Sequence, residues 1–229
     1  MPIPQVRSMN RYDGAVAFDR TAAQMDSALS GVREGVLAML ALGEEKPAAG
    51  GKAIRFIKNA ALPAERYVLS VGAGGITVET GGEAGAVHAA AAGSQLAAEN
   101  GGLLPYCLVE DEPHSGWRGL LIDVSRDFFP RETLRKIVDL LAYYRYNRLH
   151  LHLTDDQGFR FESERFPLLN SVGSWRESTL VKRNGTRAQD GKPHGGFYTK
   201  AELRELVRYA RARGVEIIPE IDMPGHSLS

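Results

Sequence analysis

The 229-residue sequence predicts an α/β protein, with a parallel strand–helix–strand–helix–strand series preceded by a smaller α+β domain. Three observations carry this expectation. Composition changes near residue 113, where an Ala- and Gly-rich, aromatic-poor part gives way to one holding both tryptophans and most of the arginines. The second part contains the continuous apolar runs GLLIDV, RLHLHLT and VEIIPEI, separated by helix-period stripes. In the first part, apolar residues lie in short alternating runs split by turn residues. The expected domains are 1–113 and 114–229.

The overall balance narrows the function. Lys+Arg and Asp+Glu are equal at 28 each, which argues against a nucleic-acid or polybasic membrane-surface partner. With 43% hydrophobic and 24% charged residues, the chain reads as globular rather than disordered. The one cysteine, Cys107, allows neither an intrachain disulfide nor a multi-cysteine zinc site. No apolar run reaches the roughly 18–20 residues that span a bilayer. The N-terminus MPIPQVRSMN lacks the apolar core of a signal peptide, so the chain as written is expected to carry no export signal and to be cytoplasmic.

In the first part, Ala15 to Phe18 is a short strand candidate. A helix is expected next, capped by Thr21, with Met25, Ala28, Leu29, Val32, Val36, Met39 and Leu40 on its apolar face and Gly43 as its stop. Pro47 to Lys52 reads as a loop. Ile54, Phe56, Tyr67, Leu69, Val71, Ile76 and Val78 fit an antiparallel meander with turn glycines at Gly72 to Gly75. Glu83 to Glu99 is a second, Ala-rich helix, ended by Asn100, Gly101 and Gly102.

In the second part, Gly119 to Val124 reads as a strand buried on both faces. Pro130 opens a helix with the stripe Leu134, Ile137, Val138, Leu141 and Tyr144, closed by Asn147. Arg148 to Thr154 is the second strand, and a polar excursion runs from Asp155 to Tyr198. There Asn184-Gly185-Thr186 matches a glycosylation sequon, but Asn-Gly is better read as a turn. Thr199 and Glu202 form a capping box for the next helix, which Gly214 ends. Val215 to Ile221 is the third strand.

Ligands of such folds bind beyond the C-terminal ends of the strands. The three ends supply Asp123-Val124-Ser125-Arg126-Asp127, Thr154-Asp155-Asp156-Gln157 and Asp222-Met223-Pro224-Gly225-His226. Arg126 offers a planar fork of donors suited to hydroxyls, and its bland alternative is an ion pair with Asp123 or Asp127. Asp155 and Asp156, being adjacent, are expected on opposite faces, with only one toward a pocket. His226 is presented by a Pro-Gly turn. His150 and His152 share one strand face and suggest a competing reading, a zinc hydrolase with His150, His152 and His226 as ligands and Asp155 as base. Histidines packed inside the sheet and bonded to neighbours are the simpler account.

The stretches RGLLIDVSRDFFP, YYRYNRLHLHLTDDQGFRFES and GGFYTKAELRELVRYARARGVEIIPEIDMPGHS, in that order, resemble the catalytic barrel of glycoside hydrolase family 20, the β-N-acetylhexosaminidases. The first part resembles the small α+β domain that precedes this barrel. The resemblance implies the first three strands of a (β/α)8 TIM barrel. It also implies exo-hydrolysis of terminal β-linked N-acetylglucosamine or N-acetylgalactosamine from glycans, without metal or cofactor. The implied mechanism is retaining and substrate-assisted: the acetamido oxygen of the sugar attacks the anomeric carbon. By position, Arg126 matches the arginine that binds the sugar hydroxyls, Asp155 the supporting carboxylate and His226 the histidine near the general acid. Asp156 and Asp222 match supporting positions. The family's adjacent Asp-Glu pair follows the histidine motif, and no pair here matches it. Asp111-Glu112 precedes the first barrel strand and reads as a solvated turn. The expectation is the N-terminal portion of such an enzyme, inactive alone, with a non-catalytic sugar-binding protein as the alternative.

Overall fold

The computed structural model describes residues 1–42, 51–183 and 185–229, with the side chains of residues 182 and 183 left aside. The expected Gly43 stop, most of the Pro47 loop and Asn184 lie outside the described residues. The chain forms two compact units. One comprises Met1–Arg118, Ile137–Asn147 and Ala210–Val215; the other comprises Gly119–Lys136, Arg148–Tyr209 and Glu216–Ser229.

The first unit is built on six strands: β1 (Ser8–Val16), β2 (Phe18–Met25), β3 (Lys52–Lys58), β4 (Tyr67–Gly72), β5 (Gly75–Thr80) and β6 (Leu104–Asp111). They form one sheet in the order β1-β6-β4-β5-β3-β2. Helices α1 (Arg33–Ala41) and α2 (Glu83–Glu99) pack on each other, and α2 also packs on β4, β5 and β6. The sheet is mixed, which corrects the expected meander. β3 runs parallel to both β2 and β5, and antiparallel pairing is confined to β4–β5, β4–β6 and β1–β6. Alternation tells which face a residue occupies; it says nothing of which strand lies beside it.

The expected helix start at Thr21 is also overturned. Residues 18–25 are a strand, with Ala23, Gln24 and Met25 opposite Ile54, Arg55 and Phe56. Thr21 donates its N–H and hydroxyl to Asp19 Oδ1 instead of capping a helix. A 3-10 turn, Ser27–Val32, leads into α1, and Leu29, Val32, Val36, Met39 and Leu40 are buried as the stripe required. Helix α2 has the expected bounds. Gly101 and Gly102 take left-handed φ values beyond it, and the Gly102 N–H returns to the Ala97 carbonyl at 2.8 Å.

Asp111 is not a solvated turn. It closes β6 opposite Tyr67, is 9% exposed, and pairs with the buried Arg145 at 2.7 Å. Tyr67 donates to the same carboxylate at 3.2 Å, and burial pushes the Tyr67 hydroxyl far up. Arg145 also donates to the Pro4 carbonyl.

The second unit holds β7 (Gly119–Asp123), β8 (Arg148–His152) and, near the C-terminus, a third parallel strand. Along the chain between them come α3 (Arg131–Tyr143), whose residues from Ile137 onward belong to the first unit, the short paired strands β9 (Thr154–Asp155) and β10 (Gly158–Phe159), and α4 (Leu168–Ser171). β11 (Trp175–Arg176), β12 (Leu180–Arg183), β13 (Thr186–Gln189) and β14 (His194–Gly195) then form two small antiparallel pairs. Helix α5 (Lys200–Arg211) leads to β15 (Glu216–Glu220). The capping box of α5 is present: Thr199 N–H donates to Glu202 Oε2 at 2.8 Å, and Glu202 N–H donates to Thr199 Oγ1 at 3.1 Å.

The sheet order is β15-β8-β7, all parallel. In the central β8, Leu149 and Leu151 are fully buried. β7 is not buried on both faces as expected: Leu120 and Leu121 are exposed, because β7 lies at the sheet edge with β8 as its only partner among the described residues. Helix α3 closes at Arg145 rather than Asn147. Arg145 takes φ 61°, and the Tyr146 N–H returns to the Leu141 carbonyl at 2.8 Å. Asn147 braces the Arg118 N–H and the Gly116 carbonyl. Among the described residues, no helix is long and apolar enough to cross a membrane.

Candidate active site

Parallel register lines up Asp123, His152 and Glu220 at the C-terminal ends of β7, β8 and β15. Residues aligned across a parallel sheet send their side chains to the same face, so the register gathers three ionisable groups in one row. Two turns then carry Arg126 and Asp155 into the same space. Asp123 Oδ1 accepts the N–H groups of Ser125 (3.0 Å) and Arg126 (2.9 Å), which folds the chain back sharply after β7. Asp155 ends β9, three residues beyond the last residue of β8.

Asp155 is the centre of the cluster and is 1% exposed. Its Oδ2 meets Arg126 Nη2 at 2.5 Å and His152 Nε2 at 2.9 Å. Its Oδ1 accepts the Asp156 N–H at 2.7 Å and lies 3.3 Å from His226 Nδ1. Burial acts to raise the Asp155 pKa, but His152, the Asp156 amide, Arg126 and His226 together outweigh it and hold the carboxyl below its usual range. Arg126 bridges Asp155 and Asp123 Oδ2 (2.7 Å), and 48% of its side chain remains exposed. Its hydrogen bond to Asp123 pushes its already high pKa further up. His226 adopts φ 52° and is exposed.

His152 is buried between two carboxylates. Its Nδ1 lies 3.1 Å from Glu220 Oε2, which also meets His150 Nε2 at 2.7 Å. That oxygen is shut off from solvent and meets both rings as ion-pair contacts, without the alignment of a hydrogen bond. Burial lowers the His152 pKa, yet Asp155 and Glu220 overcome it and the net direction is upward.

All five expected site residues are therefore brought together. Arg126, Asp155, Asp156 and His226 form one contact group, and Asp222, whose N–H donates to Thr154 Oγ1, lies beside His152 and Glu220. The expectation that Asp155 and Asp156 part to opposite faces is not met. Strand geometry ends at Asp155, and Asp156 Oδ2 also reaches toward His226, at 3.8 Å. The proposed histidine zinc triad does not converge: His150 and His152 share Glu220, while His226 sits on Asp155. Among the described residues, two other groups have metal-ligand spacing, His152–Glu220–Asp222 and Asp155–Asp156–His226. Both draw on groups already committed: both nitrogens of His152 face carboxylates, and a guanidinium occupies Asp155 Oδ2.

Arg160 supports this cluster from behind and was not singled out by the sequence. It is fully buried, with no carboxylate among its hydrogen-bond partners. Its guanidinium donates to the carbonyls of Val124 (3.0 Å), Ser125 (2.7 Å), Ser174 (2.5 Å) and Gly196 (3.0 Å). Burial lowers its pKa to about 10. The arrangement pins the turn that bears Arg126 against the excursion that follows β10.

This constellation has known relatives. The model of the glycosyl hydrolase family 20 catalytic domain matches residues 116–229, and that of the family's domain 2 matches residues 3–112. The chain belongs to glycosyl hydrolase family 20. Its α/β fold is a small α+β domain followed by the first strands of the family's TIM-barrel catalytic domain. It is 44% identical over 169 residues to a β-hexosaminidase of Akkermansia muciniphila, which covers 72% of this chain and 33% of that one. It is 38% identical over 241 residues to a β-N-acetylhexosaminidase of Cellulomonas fimi, covering 98% of this chain and 46% of that one. A Vibrio harveyi family 20 exo-β-N-acetylglucosaminidase in complex with N-acetylglucosamine superposes with a TM-score of 0.81 at 30% identity, over 99% of this chain and 36% of that one. A Streptomyces plicatus β-hexosaminidase mutant, in complex with its product N-acetylglucosamine, gives 0.79 at 34% identity, over 99% and 46%. The family 20 chain described here thus spans between a third and a half of the length of these relatives.

Proposed function

We propose that this chain contributes the sugar-binding floor of a β-N-acetylhexosaminidase that removes terminal β-linked N-acetylhexosamine from glycans. The observation that carries this is the convergence of Arg126, Asp155 and His226 on one point beyond three parallel strands. Arg126 presents the exposed part of its guanidinium to the sugar hydroxyls, held rigid by Asp123 and Asp155 behind it. Asp155 anchors Arg126 and His226. Asp156 and Asp222 flank them. The two domains we assign are 1–113 and 114–229.

The mechanism we infer is retaining and substrate-assisted: the acetamido oxygen displaces the leaving group at the anomeric carbon, and water then opens the resulting oxazolinium ring. The adjacent Asp-Glu pair that would orient the acetamido group and protonate the leaving oxygen has no counterpart in these 229 residues. Binding without turnover is therefore the behaviour assigned to them. Titrating the purified chain with N-acetylglucosamine by calorimetry should give saturable binding that Arg126→Ala abolishes. A chromogenic N-acetylglucosaminide should stay uncleaved. Turnover by this chain, or undiminished binding by the variant, would overturn the reading.

A further inference from the structure

We propose that His152 is a positioning residue, a doubly protonated imidazolium clamped between Glu220 and Asp155 that fixes the ionised Asp155 toward Arg126 and His226. The argument rests on which atoms face each other. Nε2 is hydrogen-bonded to Asp155 Oδ2 (2.9 Å), and Nδ1 lies 3.1 Å from Glu220 Oε2 as an ion-pair contact. A neutral imidazole has one N–H and one lone pair, so one of these approaches would set a lone pair against a carboxylate oxygen. The cation is attracted to both carboxylates, through a hydrogen bond to Asp155 and an ion-pair contact with Glu220.

The surroundings favour that cation. Asp123 on β7, Asp155 beyond β8, and Glu220 and Asp222 on and beyond β15 place four acids around the ring. Against them stand Arg126, engaged with Asp123 and Asp155, and His150, which shares Glu220. The 2.5 Å contact with Arg126 keeps Asp155 ionised, so the proton between Asp155 and His152 resides on the ring. Glu220 fixes the far side of the ring. Through His152 it sets where the Asp155 carboxylate points, although it does not touch Asp155 itself. The raised His152 pKa agrees with this geometry.

The inference deepens the role given above to Asp155, but its test needs no sugar, so it stands or falls apart from the glycosidase reading. Long-range 1H–15N NMR of the imidazoles in the 229-residue chain, followed from pH 5 to 9, reads the protonation state directly. His152 should show two protonated nitrogens at pH 7 and titrate above the ordinary 6.5 of histidine. In Glu220→Gln its midpoint should fall by about one unit or more. In His152→Gln the Asp155 carboxyl, followed by 13C shifts, should titrate higher. A His152 ring carrying a single proton at pH 7, or a midpoint unmoved in Glu220→Gln, would overturn the proposal. Should Glu220→Gln fail to fold, the wild-type spectrum decides alone.

Discussion

Arg160 shows how a buried cation without a counter-ion organises a site. Five backbone carbonyls from four segments (Val124 and Ser125, Gln157, Ser174, Gly196) converge on one planar fork, and a lysine cannot reproduce that spread with a single ammonium. Each buried carbonyl left without a donor costs about 1–3 kcal/mol. Arg160→Lys should therefore destabilise the protein by about 3 kcal/mol or more, read as a shift of the urea midpoint at unchanged slope. A loss below about 1 kcal/mol would mean that water replaces the lost donors. Nothing in the sequence flagged this residue, since an arginine between two phenylalanines looks like an ordinary solvated charge. Arg126, Asp155 and His226 were legible because each follows a recognisable strand. Glu220 was not, because its importance comes from lying beside His152 on a neighbouring strand, which a linear reading does not display.

Helix α2 fits its sheet through small side chains, with residues from Gly85 to Ala97 buried all round. Its glycines make opposite predictions. A Cβ at Gly93 would meet Leu104 and Leu69 at 3.9 Å, an ordinary contact, so Gly93→Ala should stabilise by about 0.5–1 kcal/mol through reduced backbone freedom in the unfolded chain. A Cβ at Gly85 would lie 2.2 Å from Thr80 Oγ1 and 2.8 Å from the Arg66 carbonyl, so Gly85→Ala should destabilise. Thermal melts of the two variants should move in opposite directions, and movement of both in one direction would refute this account of the packing. The bounds of α2 were readable because alanine run, first-turn Glu83 and terminal glycines all agree. At β2 local preference and tertiary pairing disagreed: a helical spacing from Met25 onward concealed that the preceding residues are claimed by β3.

Over the entire chain, the two units should respond differently to acid. In the first, His88 is fully enclosed, and burial, followed by the nearby Arg118 and Arg145, lowers its pKa to about 3. The unfolded chain takes up a proton there near 6.5 while the folded one does not, so stability is lost as pH falls from about 6.5 toward 3. In the second, the depressed Asp155 contributes fully above about 3.9 and loses its contribution only as pH drops through its folded value. The raised His152 contributes fully below about 6.5, and that contribution is lost as pH rises through its folded value. Amide exchange, corrected for its intrinsic pH dependence, should show α2 losing protection between pH 7 and 5 while β8 holds. His88→Gln should remove most of the α2 effect. Equal loss in both units would contradict this assignment. The two-part organisation and the parallel strand–helix order were visible in composition and periodicity. The mixed pairing of the first sheet and the exposure of β7 were not, because both depend on which strands become neighbours.

The row formed by Asp123, His152 and Glu220 also makes the chemistry of the site a gauge of strand alignment. Sliding β15 by one residue would turn Glu220 to the opposite face and leave an apolar side chain opposite His152. The imidazole would then lose its second carboxylate, and its NMR signature would change while the helical content stayed the same. A single ring thus serves as a built-in vernier, able to distinguish a correctly seated sheet from one that is merely compact.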